Sequence, residues 1–263
     1  MTATTAPPPR LPRIERGLAM CLAETEYARC ADLLTRLDPQ QWSAPTANTG
    51  WTVRDTAGHM LGMAQMMASL PQLLGQLSTS MRQARQAKAP VSIDFLTALQ
   101  VRRNAGLTTA ELIRRWREVS PRALRGRRRL PGLLLRRTLP EAQLVGGHLE
   151  RWTVGYLTDI VLTRDPFMHR LDICAAIGLD PQPTAEHDGL LVDDVVREWA
   201  ERHGHPYTLE LTGPAGGVWG TGGERITLDA LDFCRRVSGR GEATGLLATG
   251  LLATGLLATA VPF

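Results

Sequence analysis

Along the chain, long stretches with apolar residues at helical spacing alternate with short stretches rich in Pro, Gly, Ser and Asn. Residues three and four apart share a helix face, so the spacing reports the element type. Over 13–38, Leu18, Cys21, Leu22, Ala28, Leu33 and Leu34 fall largely on one side and predict an amphipathic helix that stops at Asp38-Pro39. After the loop "QQWSAPTANTG", Thr52 with Asp55 three residues on forms a variant capping box, which opens a second helix through "VRDTAGHMLGMAQMMASL". Trp51, just before the cap, reads as a hydrophobic staple. One flank of this helix carries Val53, Ala57, Met60, Leu61 and Ala64, and the other carries His59 beside Met63 and Met66. A helix apolar on both flanks is buried on both, so His59 is expected to point into protein. A third helical region spans 93–120 with a break at "NAGLTT", where Thr108 or Thr109 can cap the restart. A fourth covers 154–178 and ends at Gly178; Pro166 inside it is expected to kink it or mark a restart with Asp165 near the cap.

Four long helices with few strand signals predict an antiparallel four-helix bundle over 13–184. Composition shifts after "LDPQPTAEHD". One more helix leads into "YTLELTGPAGGVWGTGGERITLD", which has β alternation and Gly-rich turns, and a short helix follows in "ALDFCRRVSGRG". A small α+β domain is therefore expected over 185–263, making the fold mainly α and α+β overall. Residues 1–12 read as a disordered arm. The segment from Gly245 repeats "GLLAT" three times. A period of five matches neither helix nor strand, so duplication lengthening a tolerant terminus accounts for it.

The composition supports a real core, at 43% hydrophobic and 21% charged residues over 263 positions. No apolar run approaches the ~20 residues of a membrane-spanning helix. The N-terminus has Pro and Arg where a secretion signal would have an apolar core, so a cytoplasmic protein with no membrane partner is expected. Cys21, Cys30, Cys174 and Cys234 are scattered through apolar or helical segments, without redox or zinc-motif spacing, and read as buried free thiols. The net charge of +4 hides an asymmetry: residues 102–137 hold 12 Arg against 2 Glu, leaving −6 for the rest. The densest part, 122–137, is open to three readings: a solvated basic face, an attractor for anionic small molecules, or a nucleic-acid patch. Only Trp116 interleaves with these arginines, so stacking on bases gets no support.

Asp165 and His169, four apart on one helix, bring their Cβ atoms within about 5–6 Å. That spacing lets a carboxylate and an imidazole share an ion. His59 from a neighbouring helix would complete a two-His, one-carboxylate set with open positions, as a catalytic site requires. Asp172, three residues beyond His169, could orient its imidazole. By spacing alone the same residues also fit two ordinary amphipathic helices.

"GWTVRDTAGHM" together with "TRDPFMHRLDI" resembles the mycothiol-dependent maleylpyruvate isomerase family of the DinB-like superfamily. Members carry a Trp-Thr-Val-Arg-Asp run ending in His and, later, Arg-Glu followed by His and Asp at the spacing seen here. "LELTGPAGGVWG", "ALDFCRRVSGRG" and the terminal "VPF" resemble that family's second, sterol-carrier-like domain, so the resemblance covers nearly the whole chain. It implies a DinB-like bundle with His59, Asp165 and His169 as metal ligands, Asp165 standing where the family has Glu. Pro166 is atypical at its position. The family's Gly-Arg motif falls on Gly239-Arg240, which implies an active-site role for Arg240; by position alone Arg240 also fits a cation at a helix C-terminus. Segment 121–150 matches the family poorly, and His148 and Glu150 are reserve ligands.

The resemblance further implies a divalent metal, zinc first and nickel or iron(II) after it, and mycothiol as thiol cosubstrate. The expected activity is isomerisation or thiol transfer on a small electrophile, carboxylate-bearing like maleylpyruvate. In the isomerisation the thiolate adds to a conjugated cis double bond, the new single bond rotates, and the thiolate leaves. Two readings of other classes stand beside it: a non-catalytic small-ligand binder and a nucleic-acid-associated regulator acting through 122–137.

Overall fold

The computed structural model describes residues 8–240 and 255–263. Helices α1 (Arg16–Arg36), α2 (Val53–Ala68), α3 (Leu70–Ala87), α4 (Ile93–Asn104) and α5 (Thr109–Arg128) are followed by a single turn, α6 (Gly132–Leu135). A hairpin of β1 (Gln143–Val145) and β2 (His148–Glu150) leads to a π-helical segment, Tyr156–Val161, which runs into α7 (Leu162–Ala176). Then come α8 (Asp188–His203), β3 (Tyr207–Thr212), β4 (Gly217–Trp219), β5 (Glu224–Asp229) and α9 (Ala230–Val237). The chain is mostly helical with small sheets, as the periodicity implied. Among the described residues no helix is long and apolar enough to cross a membrane.

Helices α1 and α2 each pack against both α5 and α7, so these four close a ring; α3 and α4 pack on the outside of α2. Two capping boxes fix helix starts within it. Thr52 and Asp55 exchange side-chain and backbone bonds at α2, and Thr108 with Glu111 does the same at α5. The core of the ring includes Val53, Met60, Leu61, Leu112 and Trp116, with Tyr27 edge-on to Trp116 at 5.4 Å between ring centres. A second apolar cluster joins Leu22, Phe167, Met168 and Leu171 to α8, α9 and the three-stranded sheet. In that sheet β3 is central, antiparallel to β4 and parallel to β5, with Leu209 opposite Trp219 on one side and Ile226 on the other.

Several expectations are corrected. The buried stripe of α1 is rotated: Leu18, Cys21 and Ala28 are exposed, while Ala19, Met20, Leu22, Ala23, Glu26, Tyr27 and Cys30 are buried. Glu26 explains the shift, because Arg170 and His187 bond its carboxylate and let a charged residue sit in the core. Cys21 is thus an exposed thiol, and only the other three cysteines are buried. A separate helix, α3, covers Leu70–Ala87, where no element is expected beyond Leu70, and α5 continues through Pro121 to Arg128. The hairpin places a small sheet between the third and fourth expected helices, inside the span expected to hold only a helix bundle.

Pro166 lies inside α7, neither ending nor restarting it. Having no N–H, it cannot bond the carbonyl of Leu162 four residues back. Arg127 does so instead, its Nη1 lying 3.0 Å from Leu162 O. Arg127 is fully buried, whereas Arg122, Arg125, Arg128, Arg129, Arg136 and Arg137 of the basic segment are exposed. Of the expected arm, residues 1–7 lie outside the described residues. At 8–12 the chain is tied down: Arg10 exchanges backbone bonds with Arg151 (2.8 Å) and Thr153 (3.1 Å). The first two repeat copies, 245–254, also lie outside the described residues. The third docks, its Leu256 carbonyl accepting from Trp199 Nε1 at 2.9 Å, and Val261 beyond it is buried.

Candidate metal centre

His59 enters the site from the second turn of α2, and Asp165 and His169 come from consecutive turns of α7. Asp165 Oδ1 lies 3.4 Å from Nε2 of His59 and 3.4 Å from Nε2 of His169. The two imidazoles stand nearly perpendicular (83°) with ring centres 5.0 Å apart. One donor atom from each of the three residues falls within 4.8 Å of the others. Both histidines are buried, and the Asp165 side chain, 14% exposed, is the side on which the cluster meets solvent.

Each imidazole is held at its far nitrogen. His59 Nδ1 is 2.8 Å from Gln100 Oε1, and His169 Nδ1 is 3.3 Å from Asp172 Oδ2. The same Asp172 oxygen accepts from Arg240 Nε at 2.8 Å and from Asn48 Nδ2 at 3.2 Å. Gly239 (φ 78°) turns the chain left-handed at the end of α9, and Arg240 from this turn reaches α7. Arg240 therefore meets the cluster through Asp172, and its helix-terminal position serves that contact.

The electrostatics favour a cation. Burial opposes ionisation of Asp165, but the charge and hydrogen bonds of His169 and His59 outweigh it and hold the carboxyl well below the usual carboxylate range. Burial of Asp172 is likewise outweighed by the bond from His169 and the charge of Arg240. For His169 burial disfavours the charged ring, yet the neighbouring carboxylates, Asp165 first, raise its pKa. Two lone-pair nitrogens and one carboxylate oxygen facing inward need a positive charge between them: a proton, or an ion that displaces it. The two separations from Asp165 Oδ1 fit an ion, because donors bound at ~2.0–2.1 Å on a tetrahedral centre stand about 3.4 Å apart.

Gln100 and Asn48 carried no helix-stripe or motif signal and were missed. Trp51 lies against the site: its ring centres 5.2 Å from that of His59 and 6.4 Å from that of His169. The reserve ligands are elsewhere. His148 is exposed on the hairpin, and Glu150 pairs with Arg10 and Arg202. A cavity of about 480 Å³ under residues 8–13 shares no residue with the cluster.

Residues 23–174 match the family model described as the mycothiol maleylpyruvate isomerase N-terminal domain, which is more than half of the chain. The chain belongs to this family. All three cluster residues and Asp172 lie within the matched span of the mycothiol maleylpyruvate isomerase domain, and Arg240 lies beyond it. Among solved structures, the chain is similar to the mycothiol-dependent maleylpyruvate isomerase, at 14% identity and TM-score 0.53, over 87% of this chain and 90% of that one. It is also similar to a histidine-to-alanine mutant of that enzyme, at 13% identity and TM-score 0.54 over the same shares. Identity this low speaks for the fold. No curated protein matches.

Proposed function

We propose that this member of the family is a metal-dependent, mycothiol-using isomerase or thiol transferase acting on a small, carboxylate-bearing electrophile. The observation that carries the reading is the convergence of His59, Asp165 and His169, each imidazole steadied from behind. These three would hold a divalent ion, zinc being the first choice for two imidazoles and one carboxylate. Such an ion supplies stabilisation of thiolate over thiol.

The chain's own residues do the rest. Asp172 keeps the Nδ1 proton of His169 and so leaves Nε2 as a lone pair. Arg240 and Asn48 hold Asp172 in place. Trp51 covers one side of the two imidazoles and limits water there. With Nε committed to Asp172, the Nη edge of Arg240 is the group we assign to a substrate carboxylate. The three buried cysteines take no part: burial raises the thiol pKa of Cys30, Cys174 and Cys234, which disfavours their thiolates.

Elemental analysis of protein purified without a histidine tag tests the site. About one equivalent of divalent metal is expected in the wild type and almost none in His59→Ala. Incubation with mycothiol and a cis-configured unsaturated dicarboxylate then separates the two activities, since an isomerase returns free thiol with the trans product and a transferase leaves a thioether. A metal-free wild type that also fails to take up zinc would remove the basis of the reading.

A further inference from the structure

The two imidazoles are steadied by different chemistry: His169 by a carboxylate, His59 by a neutral amide. We propose that Gln100 and Gln76 are positioning residues that fix the tautomer of His59, with the backbone carbonyl of Gly62 setting the polarity of the pair. The consequence for metal binding rests on the reading above; the tautomer itself does not.

The argument runs along one chain of bonds. A backbone carbonyl can only accept, so the Gln76 atom 3.3 Å from Gly62 O is its amide nitrogen. Gln76 Oε1 therefore faces Gln100, and the Gln100 atom 3.0 Å from it must be Nε2. That leaves Gln100 Oε1 against His59 Nδ1 at 2.8 Å, so Nδ1 carries the proton. In the neutral ring Nε2 is then a lone pair; the bond from Nε2 to Asp165 Oδ1, 3.4 Å away, belongs to the doubly protonated ring, whose second proton an ion would displace. The side contacts agree: Gln100 Nε2 also lies 3.0 Å from Met63 Sδ and Gln76 Nε2 3.5 Å from Gln72 Oε1, acceptors both.

Amide orientation is ordinarily ambiguous by electron count alone. Here a fixed backbone acceptor removes the ambiguity and passes its polarity through two side chains. Both amides are fully buried, where a reversed amide would set like groups against each other and leave unpaired polar atoms. Gly62 also provides the room, because a Cβ there would stand 2.5 Å from Cβ and Cγ of Gln100. A reversed relay would put an N–H against His59 Nδ1 and move the ring proton to Nε2, aimed at the place an ion would take. Helices α3 and α4, outside the ring, thus contribute one buried glutamine each to the site.

The test uses the full chain, metal-free and labelled at histidine nitrogen, in long-range proton–nitrogen NMR at mildly alkaline pH. The wild type is expected to show His59 as the Nδ1–H tautomer. Gln100→Leu is expected to shift population to Nε2–H and to raise the zinc dissociation constant, read by chelator competition, by about 10–100-fold. Gln76→Leu should move both readouts the same way by a smaller factor. An Nε2–H tautomer in the wild type overturns the proposal. So do Gln100→Leu and Gln76→Leu variants with wild-type tautomer and zinc constant. Should Gln100→Leu not fold, the wild-type spectrum and Gln76→Leu decide. If the wild type binds no zinc while His59 is Nδ1–H, the relay stands and the metal reading falls.

Discussion

At Asp172 one carboxylate oxygen receives three donors, from His169, Arg240 and Asn48. Among the described residues its other oxygen, Oδ1, is buried without a partner. An anion this committed fixes the ring of His169, one of the three ligands we propose. Asp172→Asn keeps the shape but removes the charge, and an amide can turn its nitrogen toward the ring. Zinc affinity is expected to fall about 10–100-fold, measured by chelator competition, with the helical signal in circular dichroism retained. Asp165→Asn, by contrast, removes a donor of the cluster itself, and metal should be absent from the purified protein by elemental analysis.

Among the elements, α7 depends on a neighbour to tolerate Pro166. Arg127 bonds Leu162 O at 3.0 Å and Thr163 Oγ1 at 2.6 Å, and it also contacts the Tyr27 hydroxyl. Arg127→Met leaves those buried acceptors unpaired, so a loss of about 2–4 kcal/mol is expected in urea unfolding. Arg128→Met next to it, whose partner Glu24 is exposed, should change stability by under ~0.5 kcal/mol. The approach of α5 to α2 is similarly local in origin. A Cβ at Gly126 would lie 2.1 Å from Met67 O, so Gly126→Ala must push the helices apart, at a cost of about 1–3 kcal/mol by the same measurement.

On the scale of the whole molecule, ion pairs join distant parts of the chain through its interior. Arg170 of α7 bonds Glu26 of α1 at 2.9 Å and Asp188 of α8 at 2.5 Å, and His187 bonds Glu26 at 2.6 Å. Burial alone would raise the pKa of Glu26, but His187 and Arg170 bring it below 4.5; Asp188 is likewise lowered below 3.8 by Arg170 and Arg29. Carboxylates depressed in the folded state add stability that is fully present above about pH 4.5 and is lost as pH falls through their folded values. Urea midpoints should therefore drop on acidification below about pH 4.5. Glu26→Gln should be less stable at neutral pH with a shallower acid limb. Asp194, raised by burial beyond what Arg164 recovers, works against this trend. The chain alone determined the helices of the ring, the late strands and the cap at Thr52, because spacing and capping are local properties of sequence. Burial of His59 followed from an apolar helix on both flanks, and its pairing with Asp165 and His169 from family motifs. Tertiary structure decided what depends on partners far along the chain. Glu26 and Arg127 can be buried because Arg170 and the Leu162 carbonyl meet them. Gln76, Gln100 and Asn48 carry no periodic signal, and they join the site because α3, α4 and the loop before α2 bring them to it. A buried polar group is stable only with its partners in place, and those partners lie up to 161 positions away in the chain.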